Sequence, residues 1–166
     1  MSHRGNGTTS GTQRLRILII DDEPLVLRAL GRLLSADGHG VRLAATAELA
    51  WREAAAAPVD LIVIDVGLGA HTASTCLEGL RKRGVLAPAI AISGLPAEDE
   101  TWITLPPAER PLVHVTKPVT REELRRTVRM ASRSTGPEAA GELGIDLRSV
   151  RPSDLDLAVG GHDRCH

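Results

Sequence analysis

Short apolar runs that finish on polar residues recur along the chain. Leu15–Ile20 runs into Asp21-Asp22-Glu23, Val59–Ile64 into Asp65, Ala89–Ile92 into Ser93, and Leu112–Thr116 into Lys117-Pro118. Continuous rather than alternating apolar runs are the pattern of strands buried on both faces, as in a parallel sheet covered by helices. Between the runs the period changes to that of helices. Pro24 takes a first-turn position, and Val26, Leu30, Leu33 and Leu34 recur at helical spacing until Asp37-Gly38 stops the run. A short strand over His39–Ala44 leads to Thr46 as the N-cap of a helix through Ala56, with Pro58 before the next strand. The spacing predicts a further helix over about Ala73–Arg83, stopped by Gly84. The last helix starts at the capping box Thr120 to Glu123, carries Leu124, Val128 and Ala131 on one face, and ends near Arg133. Only Gly94–Pro111 breaks the rhythm, because Pro106, Pro107 and Pro111 forbid a long helix. The fourth helix is expected to be short, displaced or missing.

Strands alternating with helices predict an α/β chain with one doubly wound sheet, in which strand-end residues far apart in sequence converge. Clustered carboxylates repel one another unless a cation sits among them, and Mg²⁺ favours one or two carboxylates plus waters and phosphate oxygens. A serine hydroxyl and a lysine beside such a cluster suit a phosphoryl group.

Composition narrows the picture. The 166 residues suffice for one domain with tails. Residues 15–133 carry 15 basic and 15 acidic side chains, which argues against a general nucleic-acid or membrane surface. Two cysteines, Cys76 and Cys165, make no disulfide framework, and no apolar segment of signal-peptide length opens the chain; the expectation is a cytoplasmic location. Met1–Arg14, rich in Gly, Ser and Thr, reads as a disordered leader, and 134–166 as a disordered tail, so the domain is placed at 15–133. Within that tail Leu155, Leu157 and Val159 alternate and could pair with a sheet edge, and His162, Cys165 and His166 form a weak terminal metal pattern.

Asp21-Asp22 after the first strand, Asp65 after the third, Ser93 after the fourth and Lys117-Pro118 after the fifth together resemble the response-regulator receiver domain over Leu15–Arg133. The separations, 43 residues from Asp22 to Asp65 and 52 from Asp65 to Lys117, are similar to those of the family. The resemblance implies a flavodoxin-like sheet of order 2-1-3-4-5 flanked by about five helices. It implies that Asp65 accepts a phosphoryl group from a sensor histidine kinase or histidine phosphotransfer protein. Asp21, Asp22, Asp65 and the Gly67 carbonyl would hold Mg²⁺, with Asp21 acting directly or through water. Lys117 and Ser93 would bind the phosphoryl oxygens, and a cis Lys117-Pro118 peptide would aim the amine into the site. Ser93 and His114, three residues before the lysine, would form the conformational switch. Output would pass to a downstream protein of unknown identity, without direct nucleic-acid or membrane contact and with a phosphorylation-dependent dimer as one option. Such a protein is a phosphoacceptor rather than a turnover enzyme.

The chain departs from the family pattern in places. Gly69 and Ala73 stand where a proline and a glycine are common, which points to a more mobile acceptor loop. Gly67 and Leu95 flank the site without a polar side chain, and slow autodephosphorylation is the expectation. Arg121, Arg125 and Arg129 recur at four-residue spacing, as a solvated face or a surface for an acidic partner. Trp51 reads as core or rim packing and Trp102 as an exposed contact. Two other readings remain: an interaction module that works without phosphorylation, and a Mg²⁺-dependent phosphohydrolase, disfavoured because Gly67 stands where that class needs an acid.

Overall fold

The computed structural model describes residues 13–94 and 105–134. Leu95 and Trp102, the leader up to residue 12 and the tail beyond Ser134, with Leu155, Leu157, Val159, His162, Cys165 and His166, lie outside the described residues. Five strands, β1 (Arg16–Ile20), β2 (Gly40–Ala44), β3 (Leu61–Asp65), β4 (Ala89–Ser93) and β5 (Val113–Thr116), form one sheet of order β2-β1-β3-β4-β5. Every pair is parallel. Four α-helices accompany them among the described residues: α1 (Pro24–Ala36), α2 (Ala47–Ala56), α3 (Ala73–Lys82) and α4 (Arg121–Arg133).

Alternation along each strand divides the core into two layers. Ile17 and Ile19 of β1 with Leu61 and Val63 of β3 pack beneath α1 and α4, against Leu27, Leu34, Leu124, Val128 and Ala131. Their neighbours Leu18, Ile20, Ile62 and Ile64 face α2 and α3, against Ala50, Cys76, Leu77 and Leu80. Each fully buried Leu or Ile contributes about 1.5–3 kcal/mol relative to an exposed one, and the central strands are apolar on both sides because both sides are covered. On α1 the expected stripe is rotated slightly. Leu27, Gly31 and Leu34 are the buried positions, while Val26, Leu30 and Leu33 are half-buried.

The predicted helix ends are present in physical form. Thr46 Oγ1 accepts from the Leu49 amide at 3.2 Å and Thr120 Oγ1 from the Glu123 amide at 3.1 Å. Gly38 and Gly84, with φ of 91° and 80°, close α1 and α3 in a backbone region that side chains disfavour. The β4–β5 connection holds a single 3₁₀ turn at Pro107–Glu109 among its described residues, as the prolines require. The four-residue arginine row forms a largely solvated face, with Arg121 and Arg129 exposed and Arg125 half-buried. Arg125 and Arg121 also pair with Asp37 just past the end of α1, which joins α4 to the α1–β2 turn.

Trp51 of α2 lies flat on α3. Its indole N–H donates to the Cys76 carbonyl at 3.0 Å, and the Arg83 guanidinium sits 4.6 Å from the ring centroid. Gly79 makes this contact possible, because a Cβ there would lie 2.5 Å from the indole nitrogen. Gly79→Ala is therefore expected to destabilise the protein by about 1–3 kcal/mol despite alanine's better helix propensity, measured as a lower urea midpoint with unchanged slope.

Candidate functional site

In a sheet of this order the chain leaves β1 toward one edge and returns to the other side of it at β3, so a crevice opens beyond the carboxyl ends of β1 and β3. The acids stand there. The Asp21 amide still donates to Ala44 at 3.1 Å, so the backbone is held in line with β2 where the acidic run begins. Asp65 is the last residue of β3, paired with Ile92 of β4, and the Val66 amide donates to the Ile92 carbonyl at 2.8 Å. One carboxylate oxygen from each of Asp21, Asp22 and Asp65 lies within 4.8 Å of the other two. Asp21 is 2% exposed and Asp65 6%, whereas Asp22 is open to solvent.

Lys117, at the end of β5, reaches into this cluster. Its Nζ is 3.0 Å from Asp65 Oδ1 and 3.7 Å from Asp21 Oδ2. The Lys117-Pro118 peptide is cis, as expected, and the Lys117 amide donates to the Ser93 carbonyl at 2.6 Å, which ties the end of β5 to the end of β4. Ser93 itself is buried at the last position of β4, one strand from Asp65. His114 is half-buried on β5, in register with Ala91.

The charges bear on one another. Burial pushes the Asp21 carboxyl above the ordinary aspartate range, and Asp65 and Glu23 add to the rise, while the Glu23 amide at 2.8 Å and Lys117 oppose it. For Lys117, burial alone would lower the ammonium's pKa. The hydrogen bond to Asp65 and the charges of Asp21, Asp65 and Glu23 outweigh that, and the net direction is upward. Lys117 is thus held as a cation against a carboxylate surplus. The donor set of three hard oxygens at the mouth of a crevice fits Mg²⁺, a cation that keeps several of its waters and takes few carboxylates.

The structure brings Asp21, Asp22, Asp65 and Lys117 together, sets Ser93 at the adjoining strand end and Gly67 in the loop after Asp65, and leaves His114 within β5, in register with Ala91 rather than Ser93. It also shows contacts that the sequence reading did not foresee. The Gly69 amide donates to Asp22 Oδ2 at 3.1 Å, and His71 Nε2 lies 2.6 Å from Glu48 Oε1 at the start of α2. Neither pairing has a spacing signal, since each joins the loop after β3 to a segment more than twenty residues earlier. Cys76 is buried in the α3 layer, its thiol pushed up to about 12 by burial, and takes no part.

Residues 17–129 match the family described as the response regulator receiver domain. The chain is 34% identical over 142 residues to the transcriptional regulatory protein KdpE of Mycobacterium tuberculosis, covering 86% of this chain and 61% of KdpE. It is 30% identical over 143 residues to the response regulator MprA of Mycobacterium bovis, covering 86% of this chain and 60% of MprA. The chain therefore spans about three fifths of the length of these curated relatives. Among solved structures, the receiver domain of an HD domain-containing protein from Pseudomonas fluorescens superposes with a TM-score of 0.65 at 24% identity, over 73% of this chain and 96% of that one. The receiver domain of the Francisella response regulator 1452 does so with a TM-score of 0.63 at 21% identity, over 74% of this chain and all (100%) of that one. These two likenesses bear on the fold.

The buried charge has a pH signature. Asp21 takes up its proton at higher pH in the folded chain than in the unfolded one. The destabilisation is therefore absent below the unfolded-state pKa and grows as pH rises through the folded-state value. Asp21→Asn is expected to raise stability at neutral pH in metal-free buffer. The gain should shrink on acidification, which urea midpoints at neutral and acid pH will show.

Proposed function

The chain belongs to the response regulator receiver domain family, and on that premise we propose that it accepts a phosphoryl group from a phosphohistidine onto Asp65 and signals by binding another protein. The observation that carries the proposal is Lys117 bridging two of the three clustered carboxylates at the switch point of the sheet.

In this reading a carboxylate oxygen of Asp65 attacks the phosphorus of the donor's phosphohistidine. The P–O bond forms, the P–N bond breaks, and the donor imidazole keeps the electron pair. A bound Mg²⁺ would offset the charge that builds on the transferring oxygens. Asp21, Asp22, Asp65 and the Gly67 carbonyl are the groups that would hold it. Lys117 releases Asp65 to the reaction and takes the phosphoryl oxygens as its new partners. Ser93 hydrogen-bonds another of those oxygens, and His114 follows it inward, which shifts the population between two surface conformations.

The donor is a sensor histidine kinase or a histidine phosphotransfer protein, and the downstream target is a protein. Residues 15–133 carry basic and acidic side chains in equal number, in keeping with a protein partner rather than direct nucleic-acid contact, and a phosphorylation-dependent dimer is compatible with the reading. No helix among the described residues is long and apolar enough to cross a membrane. The protein would store a phosphoryl group rather than turn over a substrate.

Incubation with a small phosphodonor and Mg²⁺ is expected to add the mass of one phosphate to the protein and none to an Asp65→Asn variant. No shift in either, with the donor active on a control receiver, would favour an interaction module that works without phosphorylation. Gly67 presents no side chain to orient an attacking water beside Asp65, so the phosphoprotein is expected to outlast a timescale of seconds. Gly67→Glu should shorten its lifetime by about tenfold, followed by mass spectrometry; decay of the wild type within seconds would count against this.

A further inference from the structure

The acceptor loop between β3 and α3 lies against the carboxylates. An ideal Cβ on Gly67 would stand 3.3 Å from Asp65 Oδ2, and one on Gly69 would stand 3.2 Å from Asp22 Oδ2. The Gly69 amide donates to that same Asp22 oxygen at 3.1 Å. Asp21 is held by the Glu23 amide and Lys117, and Asp65 by Lys117, so the amide of Gly69 is what meets the exposed member of the cluster. Two residues on, His71 pairs with Glu48 and its ring lies 6.1 Å from that of Trp51. A cavity of about 170 Å³ separates the loop from the start of α2, lined by Asp22, Thr46, Glu48, Leu68, Gly69 and His71 among others. The loop is fastened at two points and has space beside it.

Resting on the receiver reading, we propose that Gly69 is a positioning residue for Asp22. Its N–H is the carboxylate's partner when no cation is bound, and it gives up Asp22 Oδ2 when Asp22 turns to Mg²⁺. The N–H on Asp22 Oδ2 stabilises that oxygen's charge and draws on its electron density, which makes it a weaker ligand for a cation although the carboxylate keeps further lone pairs. Cation binding and loop release are then linked, and linkage is reciprocal: whatever frees the loop tightens the cation, and the cation frees the loop. The device depends on this chain having a residue with a backbone N–H, here glycine, at position 69. A proline there carries no N–H and cannot make the bond.

The test uses the full chain, amide-resolved NMR and a Mg²⁺ titration. In the wild type the Gly69 amide is expected to be protected from hydrogen exchange without cation and to lose that protection at saturating Mg²⁺. Gly69→Pro, which removes the donor, should bind Mg²⁺ about fivefold more tightly, whereas Gly69→Ala, which keeps it, should change the affinity less. An unchanged or weaker affinity in Gly69→Pro, or a Gly69 amide whose protection ignores Mg²⁺, would overturn the exchange. Protection that survives Asp22→Ala in metal-free buffer would overturn the bond to Asp22 itself. No Mg²⁺-dependent shift at the amides of Asp21, Glu23 and Gly67 would instead overturn the metal reading of the site, and the exchange with it.

Discussion

Two carboxylates almost out of water, with a third close by and one ammonium between them, set the terms for the rest of this protein. Asp21 and Asp65 are placed by backbone pairing that β1 and β3 make with their neighbours, and their repulsion is offset by Lys117 at 3.0 and 3.7 Å. A buried charge without such a partner would protonate or unfold its surroundings. The sheet therefore depends on the fifth strand bringing Lys117 to the cluster, although β5 is its shortest strand, four residues at an edge. The same three carboxylates form a donor set that fits a hard cation.

The surroundings of the cluster are tied together by polar groups that reach across elements. Arg81 is buried in α3, where burial lowers its pKa, and donates to the carbonyls of Val85 and Ala87, both at 2.7 Å, and to that of Glu109 at 3.1 Å. One guanidinium thus fastens α3, the entry to β4 and the proline-rich β4–β5 connection. Arg125 and Arg121 do a similar service for α4 at Asp37, whose carboxyl the Arg125 hydrogen bond holds below the ordinary range. These ties join segments that are far apart in sequence.

Much of this was visible in the residues. The four apolar runs, the Gly stops, the threonine caps and the strand-end landmarks each have a local cause: burial on both faces, positive φ, or an orphan amide to satisfy. Those causes act within a few residues, so Asp21, Asp22, Asp65, Ser93 and Lys117 were all named from position alone. The details without a local cause are those decided by a neighbour from elsewhere. Val26 has the helical spacing of the α1 stripe, yet it is half-buried, and the buried positions are Leu27, Gly31 and Leu34. Arg121 and Arg125 belong to a largely solvated row, but their pairing with Asp37, more than eighty residues earlier, follows from how α4 packs beside the end of α1.

Gly69 marks the boundary between the two kinds of information. In sequence it is a departure from the common proline and points toward a looser loop. In three dimensions it contributes an amide to Asp22, 47 residues away. Periodicity, caps and turn chemistry act locally, so the order of strands and helices and the residue types at the strand ends are legible in the chain alone. The distances between the carboxylates, the exposure of Asp22, and the amine and amide that partner them follow instead from the packing of the sheet and the path of its loops.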